Sequence, residues 1–415
     1  MTFDNAQVNP SRLEAIKDLT VSKSRPSKQA HWLDRWHVNP SLNRDYDFID
    51  GLRGIAILMV IVGHHVYTNP DSGWLVRFVG AISGAGGHGV TLFFSLSGFL
   101  ISWPFWKRKF GGSERVVPPG YGARRFWKIY PPLALSVVLL TPLYVYMTKD
   151  WSYVPIAAKW LAGIPFLFPV SGKLNPVMWT LVVEVQFYIT LPLVFLFLKK
   201  ALPTTCLWLI PSAFFVIPTI THAVTGGVAS FFPEIDAHYP CPLDAFALGI
   251  LMAGLENAGC LTKRWARLGL QGFIVWIACL LVTAWATAQG TLEGIGDIIR
   301  LAEIIGSGCL LCYVADPKHP IATLLSAPWL RWCGIISYEW YLFHQPITLT
   351  ARSIAGKTGG SVVKYAAVLF IPLLLGLALS AIVYRWFSLP ILKYGRGQAK
   401  ANPAPGDKSL SQGAA

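Results

Sequence analysis

Charged residues are scarce in this sequence, and their scarcity excludes most soluble folds. Asp, Glu, Lys and Arg make up 13% of the 415 residues, whereas ordinary globular chains contain about 25%. Hydrophobic residues account for 53% of the chain. A soluble protein cannot cover that much apolar surface, but the hydrocarbon core of a bilayer accepts it. The composition therefore predicts an integral membrane protein.

Other absences narrow this class. The seven cysteines form no disulfide framework, and we expect them to pack as small apolar side chains. No apolar segment typical of a secretory signal precedes the first hydrophobic run, which predicts a cytosolic amino terminus. The sequence shows no internal repeat, so it does not support the repeat architecture on which many transporters are built. We predict one helical membrane domain at 46–393, between a polar cytosolic arm at 1–45 and a disordered cytosolic tail at 394–415.

Hydrophobic runs with the length of a tilted membrane helix recur along the domain. The apolar segment 152–170 contains three prolines, and we interpret it as an external or re-entrant segment. The fold class is thus an all-α polytopic membrane protein with about ten transmembrane helices and both termini in the cytosol. The ten predicted spans lie at about 52–68, 89–106, 129–147, 177–198, 203–223, 243–258, 269–288, 297–314, 332–349 and 363–386.

The net charge of +14 is distributed unevenly across these spans. Of the 35 Lys and Arg residues, seven fall outside the cell and Arg300 lies within a span, which leaves 27 on the cytosolic side. This asymmetry is the positive-inside pattern of membrane proteins, so no nucleic-acid partner is needed to explain the charge. We expect a multi-pass protein of the plasma membrane, which is the inner membrane in a Gram-negative cell.

Two basic residues share one face of the first span. His64 follows Arg53 by eleven residues, which corresponds to three helical turns plus about 20° and a rise of about 16 Å. A cation at the cytosolic mouth therefore faces along the helix toward an imidazole near the midplane. Arg53 could also serve as a positive-inside anchor, and His64 as a residue that hydrogen-bonds a neighbouring helix.

Three further ionisable residues fall at a similar depth. Measured from the nearest cytosolic cation, Glu184, Glu339 and His344 lie about 22, 12 and 20 Å into the membrane. A histidine beside a carboxylate in a dry site can act as a general base, because the carboxylate stabilises the imidazolium that forms. Ionisable residues at this depth are candidate functional residues by default. We therefore predict a central belt of these three residues and His64.

Three other features need an interpretation. Arg125 and Lys128 gather at the cytosolic surface, where they either anchor the topology or bind the phosphates of a donor. Gly89 and Gly98 in the second span permit close approach of a neighbouring helix. Arg300 and Glu303, which are three residues apart, are expected to form an internal ion pair.

Five segments together resemble the acyltransferase-3 family of bacterial membrane acyltransferases. They appear in the family's order and cover most of residues 46–350, and Arg53 and His64 match the family's Arg–x10–His spacing. The five segments are YDFIDGLRGIAILMVIVGHH, GVTLFFSLSGFLIS, RRFWKIYP, WTLVVEVQFYITLP and ISYEWYLFHQP.

The resemblance implies a function and a set of site residues. It implies a ten-helix bundle that transfers an acetyl or other short acyl group from acyl-CoA, with no tightly bound cofactor or metal. It also implies that His64 is the essential catalytic residue, that Arg53 contacts the donor and that Glu184 belongs to the central site. Lys128 stands where the family usually has arginine, and lysine binds phosphate as a point charge rather than as a fork.

These observations predict a membrane O-acyltransferase. Acyl-CoA, with acetyl-CoA as the expected donor, would dock near Arg53, Arg125 and Lys128, and the acceptor would be a hydroxyl of a carbohydrate or a glycosylated small molecule. His64 would either deprotonate that hydroxyl or carry the acyl group, with Glu184 orienting or charge-balancing its ring. The alternative is a proton-coupled glycolipid transporter or flippase that uses the midplane histidine and glutamate as a relay. A third hypothesis, that the protein is a structural scaffold, does not explain why Arg53 and His64 share a helix face.

Overall fold

The computed structural model describes residues 32–37, 46–65, 86–167, 172–225, 243–289, 291, 296–356 and 362–401, and all of its regular elements are helical. Short 3-10 helices lie at Leu33–Arg35, Ile164–Phe166, Gly172–Leu174, Pro176–Met178, Lys263–Trp265 and Leu311–Ala315, and a π-helical turn lies at Tyr384–Ser388. The α-helices are α1 (Asp47–His65), α2 (Gly87–Phe110), α3 (Tyr121–Thr148), α4 (Tyr153–Leu161), α5 (Trp179–Phe197), α6 (Pro203–Thr225), α7 (Asp244–Asn257), α8 (Ala266–Gln289), α9 (Gly296–Leu310), α10 (Pro320–Leu325), α11 (Pro328–Ile335), α12 (Ser337–Gly356), α13 (Val362–Val383) and α14 (Leu389–Ala401).

Seven helices in the described part of the chain are long and apolar enough to cross a bilayer: α2, α3, α5, α6, α8, α9 and the continuous α13–α14 pair. The remaining three predicted spans correspond to α1, α7 and the α11–α12 pair. α7 has 14 residues and is about 21 Å long, which is less than the hydrocarbon core. α1 and α12 carry three of the four ionisable residues of the predicted belt, namely His64, Glu339 and His344. The structure confirms an all-helical membrane protein, whereas the ten crossings and the cytosolic termini stay predictions.

The proline-containing segment after α3 does not contain a membrane-length helix in its described part. α4 has nine residues, a length of about 14 Å, and therefore cannot cross the bilayer by itself. Lys173, which follows this segment, pairs with Asp150 on the same surface. The interpretation of 152–170 as something other than a span agrees with this geometry, although 168–170 lie outside the described residues.

Glycines bring α2 against two neighbours, as the sequence predicted. A Cβ atom on Gly98 would lie 2.3 Å from the carbonyl oxygen of Phe246 in α7. A Cβ atom on Gly89 would lie 2.4 Å from the carbonyl oxygen of Ala56 in α1. Because carbon and oxygen cannot approach that closely, only glycine allows these contacts. The contacts fix α1 and α7 on α2, and α1 carries both Arg53 and His64.

Part of the polar arm is packed onto the membrane domain. Trp36 stacks on Tyr384 with 6.1 Å between ring centroids and meets Trp332 edge-on at 5.6 Å. The hydroxyl of Tyr384 donates to the carbonyl oxygen of Trp36 over 2.7 Å. An aromatic contact and a hydrogen bond therefore tie residues 32–37 to the π-helical turn, and a second aromatic contact ties them to α11.

The predicted boundary at 393 requires a correction, because α14 continues to Ala401. The ring of Tyr394 meets that of Trp127 in α3 at 5.6 Å. Gly395 is buried against the same tryptophan, where a Cβ atom would lie 2.6 Å from the indole ring. This packing keeps the start of the predicted tail helical, and residues 402–415 lie outside the described part.

Candidate active site

A cavity lies among α1, α2, α3, α5 and α12, and its empty space, counted together with the open space at its mouth, is about 620 Å³. It brings together three residues singled out in the sequence, since its lining includes Arg53, Lys128 and Glu184. Phenylalanine and leucine side chains form much of the remaining wall. An apolar cavity with a few convergent polar groups is the usual form of a small-molecule site. The other polar side chains in the lining are Ser97, Thr180, Ser337, Tyr338 and Tyr341.

The predicted belt contains a histidine pair. Nε2 of His344 lies 3.4 Å from Nδ1 of His64, and the ring centroids are 5.0 Å apart. His64 Nδ1 also lies 2.8 Å from the carbonyl oxygen of Val60, one turn earlier in α1. His344 Nδ1 lies 2.7 Å from the carbonyl oxygen of Tyr341, a residue that also lines the cavity.

These contacts assign the protons of both rings. A carbonyl oxygen can only accept, so Nδ1 of each histidine carries the hydrogen. His64 Nδ1–H then points at both the Val60 oxygen and His344 Nε2, which accepts. In this tautomer Nε2 of His64 holds a lone pair and can take a proton or attack an electrophile. The geometry thus suits His64 as a base or a nucleophile.

Glu184 lies in the cavity, but its hydrogen bonds go to residues other than His64. Its carboxylate accepts from Tyr188 OH and, over 3.5 Å, from Ser97 Oγ. The ring of His64 is held by Val60 and His344, so a second histidine takes the position that the sequence assigned to Glu184. The periodicity of α12 gives the angular position of His344 around the axis of its own helix. It does not reveal which neighbouring helix the side chain faces.

Glu339 is also separate from the histidine pair. Its carboxylate is 2% exposed and interacts electrostatically with Lys128, Arg53 and Ser388 of the π-helical turn. Lys128 interacts with Glu184 as well. The predicted belt therefore divides into a histidine pair and a group of two carboxylates among cations. The cations offset the cost of burying two negative charges.

The predicted donor-binding cations lie close together, and each has capacity for an anion. Arg53 Nη2 donates to Ser337 Oγ over 3.1 Å, while its buried Nε has no hydrogen-bond partner among the residues that the structure describes. The guanidinium of Arg125 lies over the rings of Tyr121 and Tyr188, at 5.6 and 5.4 Å, and its buried Nε is likewise unpaired. Buried N–H donors without partners fit a site that binds phosphate oxygens.

One cation of this group escaped the sequence analysis. Arg396 in α14 interacts electrostatically with Arg125 and Arg124, because α14 packs on α3 through Trp127 and Tyr394. The sequence reading assigned Arg396 to a disordered tail. The apolar residues of LPILKY, which continue the preceding hydrophobic run, are the signal that could have extended the helix.

The sequence predicted an ion pair between Arg300 and Glu303. This prediction is wrong, because each of the two residues pairs with a residue of another helix. Arg300 Nη2 lies 2.5 Å from Oδ2 of Asp244 in α7. Glu303 Oε2 lies 2.9 Å from Nδ1 of His88 in α2. Residues three apart in a helix do face the same side, but here partners on neighbouring helices lie closer to both side chains. The two pairs connect α9 to the rest of the bundle.

Comparison with known proteins identifies the family of this chain. The profile of the acyltransferase-3 family, described as an acyltransferase domain, matches residues 46–385. O-acetyltransferase OatA of Staphylococcus aureus is 24% identical over 379 residues, which are 84% of this chain and 57% of the relative. Peptidoglycan O-acetyltransferase OatA of Listeria monocytogenes is 24% identical over 378 residues, 84% of this chain and 56% of the relative.

Acyltransferase MdmB of Streptomyces mycarofaciens is 25% identical over 339 residues, which are 75% of this chain and 81% of the relative. The chain thus spans little more than half the length of the OatA relatives and most of the length of MdmB. No solved structure matches the chain. The family match covers most of the sequence and includes the helices that carry the cavity and the histidine pair, so this membrane protein belongs to the acyltransferase-3 family.

Proposed function

We propose that the chain is an O-acyltransferase of the plasma membrane that moves a short acyl group from acyl-CoA to a hydroxyl of a carbohydrate. The observation that carries the proposal is the joint position of Arg53 and His64 on α1. Arg53 lines the first cavity together with Lys128 and Glu184. His64 lies eleven residues further along the same helix face, about 16 Å away. An extended donor with phosphates at one end and a thioester at the other suits this separation.

The donor phosphates would occupy the basic end of the cavity. Arg53 and Arg125 carry buried N–H groups without protein partners, and charge-assisted bonds to phosphate would satisfy them. Lys128 and Arg396 would add positive charge to the same region. The thioester would then lie along α1 toward His64.

His64 would act through Nε2 in one of two ways. As a general base, Nε2 takes the proton of the acceptor hydroxyl while the hydroxyl oxygen attacks the thioester carbonyl, and the departing CoA thiolate receives that proton. As a nucleophile, Nε2 attacks the thioester first and releases the thiolate. The hydroxyl then takes the acyl group from the imidazole, and the proton that it loses passes through the imidazole to the thiolate. In both routes His344 holds the ring through Nδ1–H.

The names of the relatives support the carbohydrate acceptor. Two of them are O-acetyltransferases, and the name of one specifies peptidoglycan. The family assignment also favours an enzyme over the glycolipid transporter that the sequence left open. A hydroxyl of a cell-envelope glycan is accordingly the first acceptor to test.

The direct experiment measures free CoA thiol released from acetyl-CoA by the purified protein in detergent. We expect release that increases when envelope glycan fragments are added, together with acetyl groups on the recovered glycan. Propionyl-CoA and butyryl-CoA serve as parallel donors, because the length of the acyl group follows from the space beside His64. Absence of thiol release with all three donors would contradict the proposed donor class.

A further inference from the structure

A second cavity lies beside the first, and its empty space, counted together with the open space at its mouth, is about 370 Å³. It is formed where α2, α5, α7 and α9 begin, since Thr91, Trp179, Ala245 and Arg300 all lie within five residues of the starts of their helices. None of the residues assigned above to the donor or to the histidine pair belongs to its lining. The proposed reaction has two substrates, and the first cavity accounts for one of them.

The second cavity lies at the end of the bundle that carries His64. The helix that lines it, α2, starts against the last turns of α1, because a Cβ atom on Gly86 would lie 3.1 Å from Cα of Gly63. Val90 and Phe94 belong to the lining of both cavities. The two cavities therefore adjoin at one turn of α2, close to the part of α1 that presents the catalytic histidine.

The lining has the chemistry of a saccharide site. Arg300 lines the cavity and is 18% exposed, and its guanidinium is oriented by an ion pair with Asp244, which is 2% exposed and lies behind the lining. Arg300 can therefore offer hydrogen-bond donors to a ligand in the cavity. Trp179 and Phe94 present aromatic rings 6.4 Å apart, on which the apolar C–H face of a sugar ring can pack. Thr91 adds a hydroxyl.

The neighbouring ion pair shows what a purely structural pair looks like in this bundle. His88 and Glu303 are 5% and 4% exposed and line neither cavity. Nε2 of His88 is additionally bonded to Thr283 Oγ1 over 3.0 Å, so this pair is enclosed by protein. Arg300 differs because its guanidinium reaches a cavity surface. A buried ion pair contributes little net stability, so packing alone gives weak reason for placing a charge there.

We propose that this second cavity is the acceptor site and binds a neutral saccharide, with Arg300, oriented by Asp244, holding its hydroxyl groups. The inference rests on the proposed acyl transfer and adds the place from which the acceptor approaches. Donor and acceptor then enter from opposite ends of the bundle and meet near Val90 and Phe94. Arg300 is a binding residue in this arrangement and takes no part in the chemical step.

The test uses the purified full chain and two different changes to the cavity. Arg300→Gln removes the charge and part of the hydrogen bonding, whereas Thr91→Trp fills the cavity and leaves the ion pair intact. Lys173→Gln is the matched control, because it removes a cation from the exposed pair with Asp150, outside both cavities. The probes are the tetrasaccharides of N-acetylglucosamine and of glucose, and acetyl-CoA is the donor.

Two readouts separate this inference from the proposed function. Saccharide binding is measured by thermophoresis without donor, and slow hydrolysis of acetyl-CoA is measured without saccharide. We expect both cavity variants to weaken binding of at least one tetrasaccharide by roughly ten- to hundredfold, the usual effect of losing bonds to a charged group, while the control binds as the wild type does. Acetyl-CoA hydrolysis should stay within about twofold in all proteins.

Binding by the wild type to neither tetrasaccharide, or equal binding by wild type and both cavity variants, would overturn the acceptor site. Saccharide binding that depends on Arg300 and Thr91, without any acetyl-CoA hydrolysis, would support the site and count against the donor instead. A variant that fails to fold is recognised by its elution profile, and the other variant then decides the result.

Discussion

Nε2 of His344 lies 3.4 Å from Nδ1 of His64, which joins two helices 280 residues apart in the sequence at a single hydrogen bond. The acceptors of the His64 Nδ1–H proton are therefore the carbonyl oxygen of Val60, at 2.8 Å, and the imidazole of His344 rather than a carboxylate. These partners select the tautomer and the orientation of the ring but add no negative charge beside it. Stabilisation of a protonated or acylated His64 must come from other groups, and the carboxylate of Glu184, which lines the first cavity, is one candidate.

Replacement of His64 by Asn should separate catalysis from folding. Asn keeps polarity and approximate size but cannot take a proton at neutral pH, so turnover should fall by roughly 10² to 10⁴. Acyl transfer per folded molecule is the measurement, and His65→Asn is the control, since its position on the helix points about 100° away. Turnover near the wild-type level in His64→Asn would rule out both proposed routes.

His344 should behave as a positioning residue. His344→Gln retains an oxygen that can accept from His64 Nδ1–H, whereas His344→Ala removes the acceptor. We expect kcat to fall by roughly ten- to hundredfold in the Ala variant, because a slightly misplaced group loses much of its effect, and to recover in part in the Gln variant. KM for acetyl-CoA should change little in either. Equal losses in both variants, with reduced thermal stability, would indicate a packing role.

The sequence predicted the relations within helices better than those between helices. Helical periodicity places Arg53 and His64 on one face, and the structure keeps Arg53 in the cavity and His64 at the histidine pair. Whether His64 would face Glu184 or His344 depends on how α1, α5 and α12 pack, which spacing along one helix does not determine. The same limit explains why Arg300 was paired with Glu303 instead of Asp244.

The membrane domain was also easier to predict than its edges. Long apolar runs identify spans by length and composition, so α2, α3 and α5 were found close to their observed positions. α14 and Arg396 were missed because Gly, Lys and Gln in the same stretch resemble a low-complexity tail. Contact with Trp127 is a tertiary feature, and it overrides that local composition.

The side of the membrane that each site faces follows from the predicted topology. Glu114 lies in the loop between α2 and α3, and Thr291 lies between α8 and α9, and both are exposed. In a cysteine-free background, Thr291→Cys should react with a membrane-impermeant thiol reagent in intact cells, and Glu114→Cys only after lysis. The reverse labelling pattern would place the basic end of the first cavity outside the cell.

The packed arm should give a pH-dependent stability. Burial lowers the pKa of His37 below its usual 6.5, although Asp50, 3.9 Å from its Nε2, acts in the opposite direction. The unfolded chain then binds a proton from about pH 6.5 downward, and the folded protein only at lower pH. Stability is therefore complete above pH 6.5 and decreases as pH falls through the window below it. His37→Gln should reduce the drop in Tm between pH 7.5 and pH 5.5, and an unchanged drop would assign it to other groups.

Arg125 and Arg396 should affect donor binding rather than the chemical step. Each variant to Ala removes a cation from the group that surrounds the mouth of the first cavity. KM for acetyl-CoA should rise by roughly tenfold for Arg125→Ala, because bonds to a charged partner are lost, and less for the more exposed Arg396→Ala, while kcat stays nearly constant. Raising the salt concentration should weaken donor binding in the wild type more than in either variant.

Lys393→Ala removes an exposed cation from the same helix as Arg396 and is the control for net charge. If Lys393→Ala raises KM as much as Arg396→Ala does, the effect is a general one of surface charge, and Arg396 has no specific place in the donor site.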